Sequence, residues 1–325
     1  MNICVTGGAG YIGSVVVECL LNQGHTITIL DNMNTGHRNA IASEATFVEG
    51  DIRDVAALER AITPDTEAVL HFAALSLVGE SVEKPLDYFE NNVGGSIQLL
   101  KRMERAGVKK FVFSSSAAVY GAPDSLPIDE TATCRPENPY GSTKLMVETI
   151  CAASRVAWGL NYVALRYFNA GGSTPTKGED HRPETHLIPI VLDAAAGKRD
   201  KLTIFGDDYD TPDGTCIRDY IHVVDLAEAH VLALSAMDAG FSGPLNLGSE
   251  TPFTVLDVIK TTETVTGLKV PYEIGPRRAG DPPALVASSK KAEETLGWKK
   301  TSSSLEKIIE SAHRWRHANP EGYSE

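Results

Sequence analysis

The stretch Asn138-Pro139-Tyr140-Gly141-Ser142-Thr143-Lys144 holds the two residues of this chain best suited to moving a proton. A phenol titrates near pH ~10 and is a poor base at neutrality unless fixed positive charge favours its anion. Residues four apart share a helix face, so a helix here sets Lys144 beside Tyr140 to supply that charge. Asn138 is a good N-cap and Pro139 a good first helical residue, which places Tyr140 in the first turn, where the macrodipole adds to the effect. The chemistry expected is general-base catalysis near pH 7. The same spacing also arises on ordinary amphipathic helices, so its meaning depends on what surrounds it.

The elements before it read as a nucleotide-binding unit. Residues 2–6 form an apolar strand, Gly7-Gly8-Ala9-Gly10-Tyr11-Ile12-Gly13 a glycine turn, residues 14–22 a helix, and residues 26–30 a second strand ending at Asp31. A side chain at such a turn would keep the backbone from the pyrophosphate of a dinucleotide, which rests on the helix N-terminus. Asp31 falls about twenty residues on, where a carboxylate binds an adenosine ribose and repels a 2′-phosphate, so the expected cofactor is NAD rather than NADP. The alternation continues through a strand at 46–48 leading to Gly50-Asp51-Ile52, which would cradle the adenine. After it come a helix at 54–62, a strand at 68–72, a long helix from Pro85 to Ala106, and a strand at 109–114 that empties into Ser114-Ser115-Ser116. In an open parallel sheet, ligands bind beyond the carboxyl ends of the strands, which brings Ser116 to the crevice that Tyr140 faces.

Composition excludes several classes. The chain has 325 residues, 42% hydrophobic and 22% charged, with no run long enough to span a membrane. A net charge of -13 argues against nucleic acid or an anionic membrane as the main partner. The N-terminus opens in a strand with no basic leader, and the five cysteines are scattered without a Cys-x-x-Cys pair, both of which fit a cytoplasmic protein.

Past the helix of Tyr140 and a strand at 161–168 the texture changes. Residues 170–186 read as a functional loop, with helices expected at 187–196, 225–238, 254–265 and 302–316 and a strand at 245–247. Arg218 and the pair Arg277-Arg278 stand beside aromatic and glycine residues in an acidic chain, the setting of phosphate-binding guanidinium groups. Asp180, His181, Glu184 and His186 have metal-ligand chemistry. They crowd into seven residues of polar loop without a helix or hairpin to converge them, so no metal is expected.

Taken together, the glycine turn, His71-Phe72-Ala73-Ala74, Val78-Gly79-Glu80-Ser81, residues 113–121, Pro139 to Lys144, Arg166-Tyr167-Phe168-Asn169 and Asp219-Tyr220-Ile221-His222-Val223 resemble the extended short-chain dehydrogenase/reductase family over nearly the whole chain. The resemblance implies an α/β fold, a doubly wound parallel sheet of Rossmann type with a smaller C-terminal α/β substrate domain. The boundary falls at 1–169 and 170–325, with residues 220–247 able to pack back on the first part. It implies a homodimer through helices at 86–104 and 140–156, and NAD-dependent interconversion of UDP-galactose and UDP-glucose through a transient 4-keto sugar. Tyr140 would then be the base, Lys144 its electrostatic partner and a ligand of the nicotinamide ribose, and Ser116 the hydroxyl that aligns the sugar O4. The cofactor positions are Gly7, Gly10, Tyr11, Ile12, Gly13, Asp31, Asn32, Asp51, Ile52, Phe72, Ala73, Asn92, Ser114, Tyr140, Lys144 and Tyr167. The UDP-sugar positions are Ser116, Asn169, Leu187, Phe205, Arg218, Arg278, Asp281 and Leu285.

Two departures matter. Leu75-Ser76 stands where many relatives carry a basic residue near the cofactor, and Leu285 is intermediate between a bulky tyrosine that restricts the sugar pocket and a small residue that admits N-acetylhexosamines. A UDP-N-acetylhexosamine epimerase is therefore the alternative substrate reading. A 4,6-dehydratase would need an acid pair where this chain has Ala117-Ala118, a UDP-glucuronate epimerase would need extra contacts to a carboxylate, and a non-catalytic NAD sensor would have no use for Tyr140, Lys144 and Ser116 together.

Overall fold

The computed structural model describes residues 1–278 and 282–324. The chain opens with β1 (Asn2–Thr6), α1 (Tyr11–Asn22), β2 (Thr26–Asp31), β3 (Thr46–Glu49), α2 (Val55–Ala61) and β4 (Ala68–His71). It continues through α3 (Val78–Glu83), α4 (Pro85–Tyr88), α5 (Gly95–Ala106), β5 (Lys110–Ser116), α6 (Pro139–Trp158) and β6 (Asn161–Tyr167). The remainder holds β7 (Asn169–Gly171), α7 (Leu187–Ala195), β8 (Leu202–Phe205), β9 (Ile217–His222), α8 (Val223–Asp238) and β10 (Gly243–Leu247). Last come β11 (Pro252–Thr254), α9 (Val255–Thr266), β12 (Tyr272–Gly275), β13 (Ala284–Leu285), α10 (Lys290–Leu296) and α11 (Leu305–Ala318).

Seven strands form one parallel sheet in the order β10-β6-β5-β4-β1-β2-β3. Its strands are apolar on both faces. Ile3 and Val5 of β1, Leu70 of β4 and Val112 of β5 join one buried cluster with α1 and α8, while Cys4, Val69, Phe111 and Phe113 join the other with α2, α5 and α6. Side chains alternate across a strand, so a run apolar at every position needs helices on both sides, and the sheet is doubly wound. Strand order reverses at β1, flanked by β2 on one side and β4 on the other, and that is where a crevice opens at the carboxyl edge.

β10 comes from the second half of the chain and pairs in register with β6, Leu245 against Leu165 and Leu247 against Tyr167. The other second-half elements build a separate core in which Ile188 and Val191 of α7, Val258 of α9 and Ile308 of α11 pack together. Two short sheets lie beside it, β11-β9-β13 with β7 on β9, and β12-β8.

The long helix expected from Pro85 to Ala106 is present in outline but is interrupted by a π-helical turn over Phe89–Gly94. That wider turn carries Asn92 inward, and such turns recur at functional sites. The helix ends on Gly107 in the left-handed conformation.

Candidate active site

A cavity of about 640 Å³ lies along the carboxyl ends of β1, β2, β4, β5 and β6. Gly7, Gly10, Tyr11, Ile12, Gly13, Asp31, Asn32, Ile52, Phe72, Ala73, Ser114, Ser116, Tyr140, Lys144, Tyr167, Asn169 and Leu187 all line it. These residues come from a turn, five strand ends and three helix starts. Only the doubly wound topology gathers them on one edge.

Tyr140 is placed by the start of α6. Asn138 caps it, its side-chain oxygen accepting from the Gly141 N–H at 2.8 Å, and Pro139 is the first helical residue. Gly141 is needed for a close approach: a Cβ there would stand 2.3 Å from the Ala118 carbonyl oxygen. That contact presses the helix against the turn that follows Ser116, and Ser116 and Tyr140 line the same cavity.

Lys144 is 4% exposed, and its ammonium donates to the Ser114 carbonyl at 2.8 Å. It lies 5.0 Å from the Phe113 ring centroid and 5.6 Å from that of Tyr140. Burial pushes the Tyr140 phenol above its ordinary value, with Ser116 pulling it part of the way back. Burial also brings Lys144 down to about 7, with Glu148 acting the other way. The lysine is itself desolvated, so the protein alone favours the neutral form of both groups. The phenol is held in place; its ionisation awaits further positive charge in the cavity.

The ground beneath the pair is rigid. Glu148, one turn beyond Lys144, is buried and takes hydrogen bonds from Arg166 at 2.9 Å and from Ser115 at 2.5 Å. Arg166 also donates to the Tyr120 hydroxyl at 2.9 Å. Ser114 and Tyr167 join through their hydroxyls. His71 sits between Thr6 at 2.6 Å and Ser96 at 2.9 Å, and burial, assisted by Lys144, lowers it to about 3, so it is neutral.

The glycine turn fits a dinucleotide. A Cβ on Gly13 would stand 2.1 Å from the Gly7 carbonyl oxygen and one on Gly7, at φ +74°, 2.6 Å from the Ala73 nitrogen, so neither position tolerates a side chain. Helix α1 begins after Gly10 with no side-chain cap, leaving its first amides directed at the cavity for a pyrophosphate. Asp31 accepts from the Ala9 N–H at 3.0 Å and the Met33 N–H at 2.9 Å while still lining the cavity, and burial raises its pKa.

Two expected cofactor residues stand behind the cavity wall instead of on it. Asn92 spends its amide on the Leu75 backbone, accepting from its N–H at 2.8 Å and donating to its carbonyl at 2.9 Å, and on Thr143 at 3.1 Å. It therefore ties the loop after β4 to α6. The Asp51 carboxylate is taken by Arg53 at 2.8 Å and Asn32 at 2.9 Å, while neighbouring Gly50, Ile52 and Arg53 line the cavity.

The expected UDP-sugar residues divide. Asn169 and Leu187 reach the cavity, Asn169 also donating to the Asp219 carbonyl at 3.0 Å. Phe205, Arg218, Arg278 and Leu285 lie off it, in two pairs set by the short sheets. The Arg278 guanidinium stands 4.3 Å over the Phe205 ring, and Leu285 is in register with Arg218, which donates to the Ile217 and Pro282 carbonyls. Asp281 lies outside the described residues.

The loop after β7 corrects the expectation that its acids and histidines do not converge. Glu179, His181, Glu184 and His186 each bring one ligand atom to a common point, all within 4.8 Å of one another. Asp180, expected in the set, turns away to accept from the Tyr323 N–H at 2.9 Å, and Glu179 takes its place. The missing frame is tertiary. The C-terminal segment holds the loop through Asp180 and through Gly178, whose N–H donates to the Tyr323 hydroxyl at 3.1 Å and where a Cβ would stand 2.1 Å from the Trp315 ring. Glu184 closes the turn locally, accepting from the N–H groups of Thr185 at 2.8 Å and His186 at 2.9 Å. Glu179, His181 and His186 line the main cavity, and their clustering left no signal in the sequence beyond the residue types.

The chain belongs to the NAD dependent epimerase/dehydratase family, whose model matches residues 3–248. NAD is its cofactor. Within that family it is similar to UDP-sugar 4-epimerases. The UDP-glucose 4-epimerase of Halalkalibacterium halodurans is 53% identical over 328 residues, covering 100% of this chain and 98% of the relative. The crystal structure of a UDP-glucose 4-epimerase superposes with a TM-score of 0.96 at 48% identity over 100% of both chains. The UDP-glucose 4-epimerase of Bifidobacterium longum in complex with NAD+ and UDP matches with a TM-score of 0.93 at 40% identity, over 99% of this chain and 100% of the other. Among the described residues no helix is long and apolar enough to cross a membrane.

Proposed function

We propose that this chain interconverts UDP-galactose and UDP-glucose by inverting the sugar C4, acting as an isomerase that retains NAD. The observation that carries the reading is the meeting of Tyr140, Ser116 and Lys144 with the glycine turn on one cavity wall. NAD, when bound, supplies a hydride acceptor for the sugar C4 and a positive charge beside the phenol. Tyr140 takes the O4 proton as general base, and Ser116, which lines the same cavity, aligns the same oxygen. Lys144, anchored to the Ser114 carbonyl, holds the cofactor ribose and adds its charge when protonated. Once the 4-keto sugar has turned to present its other face, Tyr140 would return the proton to O4.

The turning step requires that affinity come from the nucleotide and not from the hexose. Asn169, Leu187, Phe205, Arg218, Arg278 and Asp281 are the residues assigned to the UDP, with guanidinium groups suited to its phosphates. In this reading residues 1–169 bind NAD and residues 170–325 the nucleotide sugar. The working form is a cytoplasmic homodimer paired through the helical segments at 86–104 and 140–156.

Proton NMR of UDP-galactose incubated with purified protein and no added cofactor tests the reading, with UDP-N-acetylgalactosamine in a parallel tube. UDP-glucose alone supports a hexose epimerase, and conversion in both tubes means that Leu285 leaves the pocket wide. No conversion of UDP-galactose, even after NAD is supplied, overturns the assignment.

A further inference from the structure

We propose that Glu179, His181, Glu184 and His186 form a binding site for one divalent transition-metal ion of the zinc type, which pins the 179–186 loop to the wall of the cofactor cavity. The argument is geometric. A four-coordinate ion with bonds of ~2.0–2.1 Å to nitrogen and oxygen separates its ligand atoms by about 3.3 Å along each edge of the tetrahedron. Nδ1 of His186 lies 3.0 Å from Glu179 and 3.1 Å from Glu184, and Nδ1 of His181 lies 3.4 Å and 3.7 Å from the same two carboxylates. Taking one oxygen from each carboxylate, three edges of one tetrahedron are thus already near the required length, and the four ligand atoms all lie within 4.8 Å of one another.

The polar atoms point to the same gap. Nδ1 of His181 and Oε2 of Glu184 are buried and, among the described residues, have no hydrogen-bond partner, although each stands at ion-pair distance from the other. An unpartnered buried polar atom has given up water without a replacement, a loss that a metal bond at the shared centre makes good. Charge also closes, since two carboxylates offset a divalent ion and two neutral imidazoles complete the set. Imidazole and carboxylate together suit zinc, whereas an all-oxygen set would suit magnesium or calcium.

Access exists. Glu184 and His181 also line a second cavity beside Arg316 and Tyr323, so an ion reaches the centre without passing the cofactor. His186 is the N-cap of α7 and precedes Leu187, and the His181 ring packs edge-on against Tyr11 of the glycine turn at 6.2 Å. An ion here would join the loop of the second half to the wall that holds NAD. This site is separate from the proton-transfer residues and independent of which sugar is turned over.

The test uses untagged full-length protein, dialysed against Zn2+ and then against metal-free buffer, with zinc counted per chain by mass spectrometry. One equivalent is expected. A His181→Gln/His186→Gln double variant and, separately, Glu184→Gln should each hold it at least ~10-fold more weakly. Wild-type protein loaded with Co2+ should show the intense visible bands of four-coordinate cobalt, a readout that stands even if a variant fails to fold. Retention of no zinc together with only six-coordinate cobalt overturns the proposal and leaves a cluster of ion-paired imidazolium and carboxylate groups. Zinc that survives in a folded double variant overturns it equally.

Discussion

Replacing Gly141 by alanine probes whether the fit of α6 against the Ser116 turn sets the reaction geometry. The new Cβ would meet the Ala118 carbonyl oxygen at 2.3 Å, where real contacts do not fall below 3.0 Å, and the opposing atom is backbone. The helix start must therefore retreat by roughly 0.7–1 Å, because a carbonyl in a tight turn cannot rotate away as a side-chain tip can. A displacement of ~1 Å in a reacting group costs on the order of 100-fold in rate. Stability responds through two opposed effects. Overpacking costs about 1–3 kcal/mol, and the gain in helix propensity from glycine to alanine returns at most ~1 kcal/mol. The expected outcome is about 100-fold slower conversion of UDP-galactose by NMR or a coupled assay, with NAD content unchanged and stability lower by roughly 0–3 kcal/mol in denaturant titration. Gly79→Ala is the control, since a Cβ there meets nothing within 4 Å, and it should leave the rate alone. A Gly141→Ala rate within twofold of wild type would show that the close approach does not position the base.

Tyr140→Phe should keep bound NAD and lower kcat by about 10²–10⁴-fold, and a variant with full activity would remove Tyr140 from the base role. Arg166→Met strands the buried Glu148 carboxylate and should cost about 3–5 kcal/mol in urea unfolding, while Arg166→Met/Glu148→Leu should recover most of it. If the double variant is no more stable than the single one, the loss is packing and not stranded charge. Burial lowers His71 to about 3 and His222 and His230 to about 4, against an ordinary value of 6.5. The unfolded chain then binds more protons than the folded one below pH 6.5, so stability falls as pH drops from there toward 4, by up to about 3 kcal/mol per histidine. His230→Phe, which keeps a ring against Phe72 and Tyr167, should make that slope shallower, and an unchanged slope would place the proton elsewhere.

Much of the first half is legible residue by residue because its signals are local. The strand-glycine-helix-strand run from Asn2 to Asp31 needs only periodicity and the steric demand of Gly7 and Gly13. The start of α6 needs only Asn138 and Pro139, and both act as their types predict. The π-helical turn at Phe89–Gly94 left no mark, since Asn92 is drawn inward by Leu75 and Thr143, partners distant in sequence. The short strands β8, β9, β12 and β13 escaped notice for a similar reason. Each has six residues or fewer and is stabilised by a neighbour instead of by its own alternation.

By itself the sequence determined the class of fold, the cofactor and the face on which Tyr140 and Lys144 meet, because backbone sterics, helix capping and apolar periodicity act over a few residues. Tertiary structure decided what depends on burial and on distant partners. Desolvation leaves Lys144 near 7 and holds the phenol neutral, where spacing alone pointed to a ready phenolate. The C-terminal segment folds Glu179, His181, Glu184 and His186 into one cluster, where the linear chain showed a loop without a frame. A charge takes its energy from everything packed around it, and that packing exists only in the folded chain.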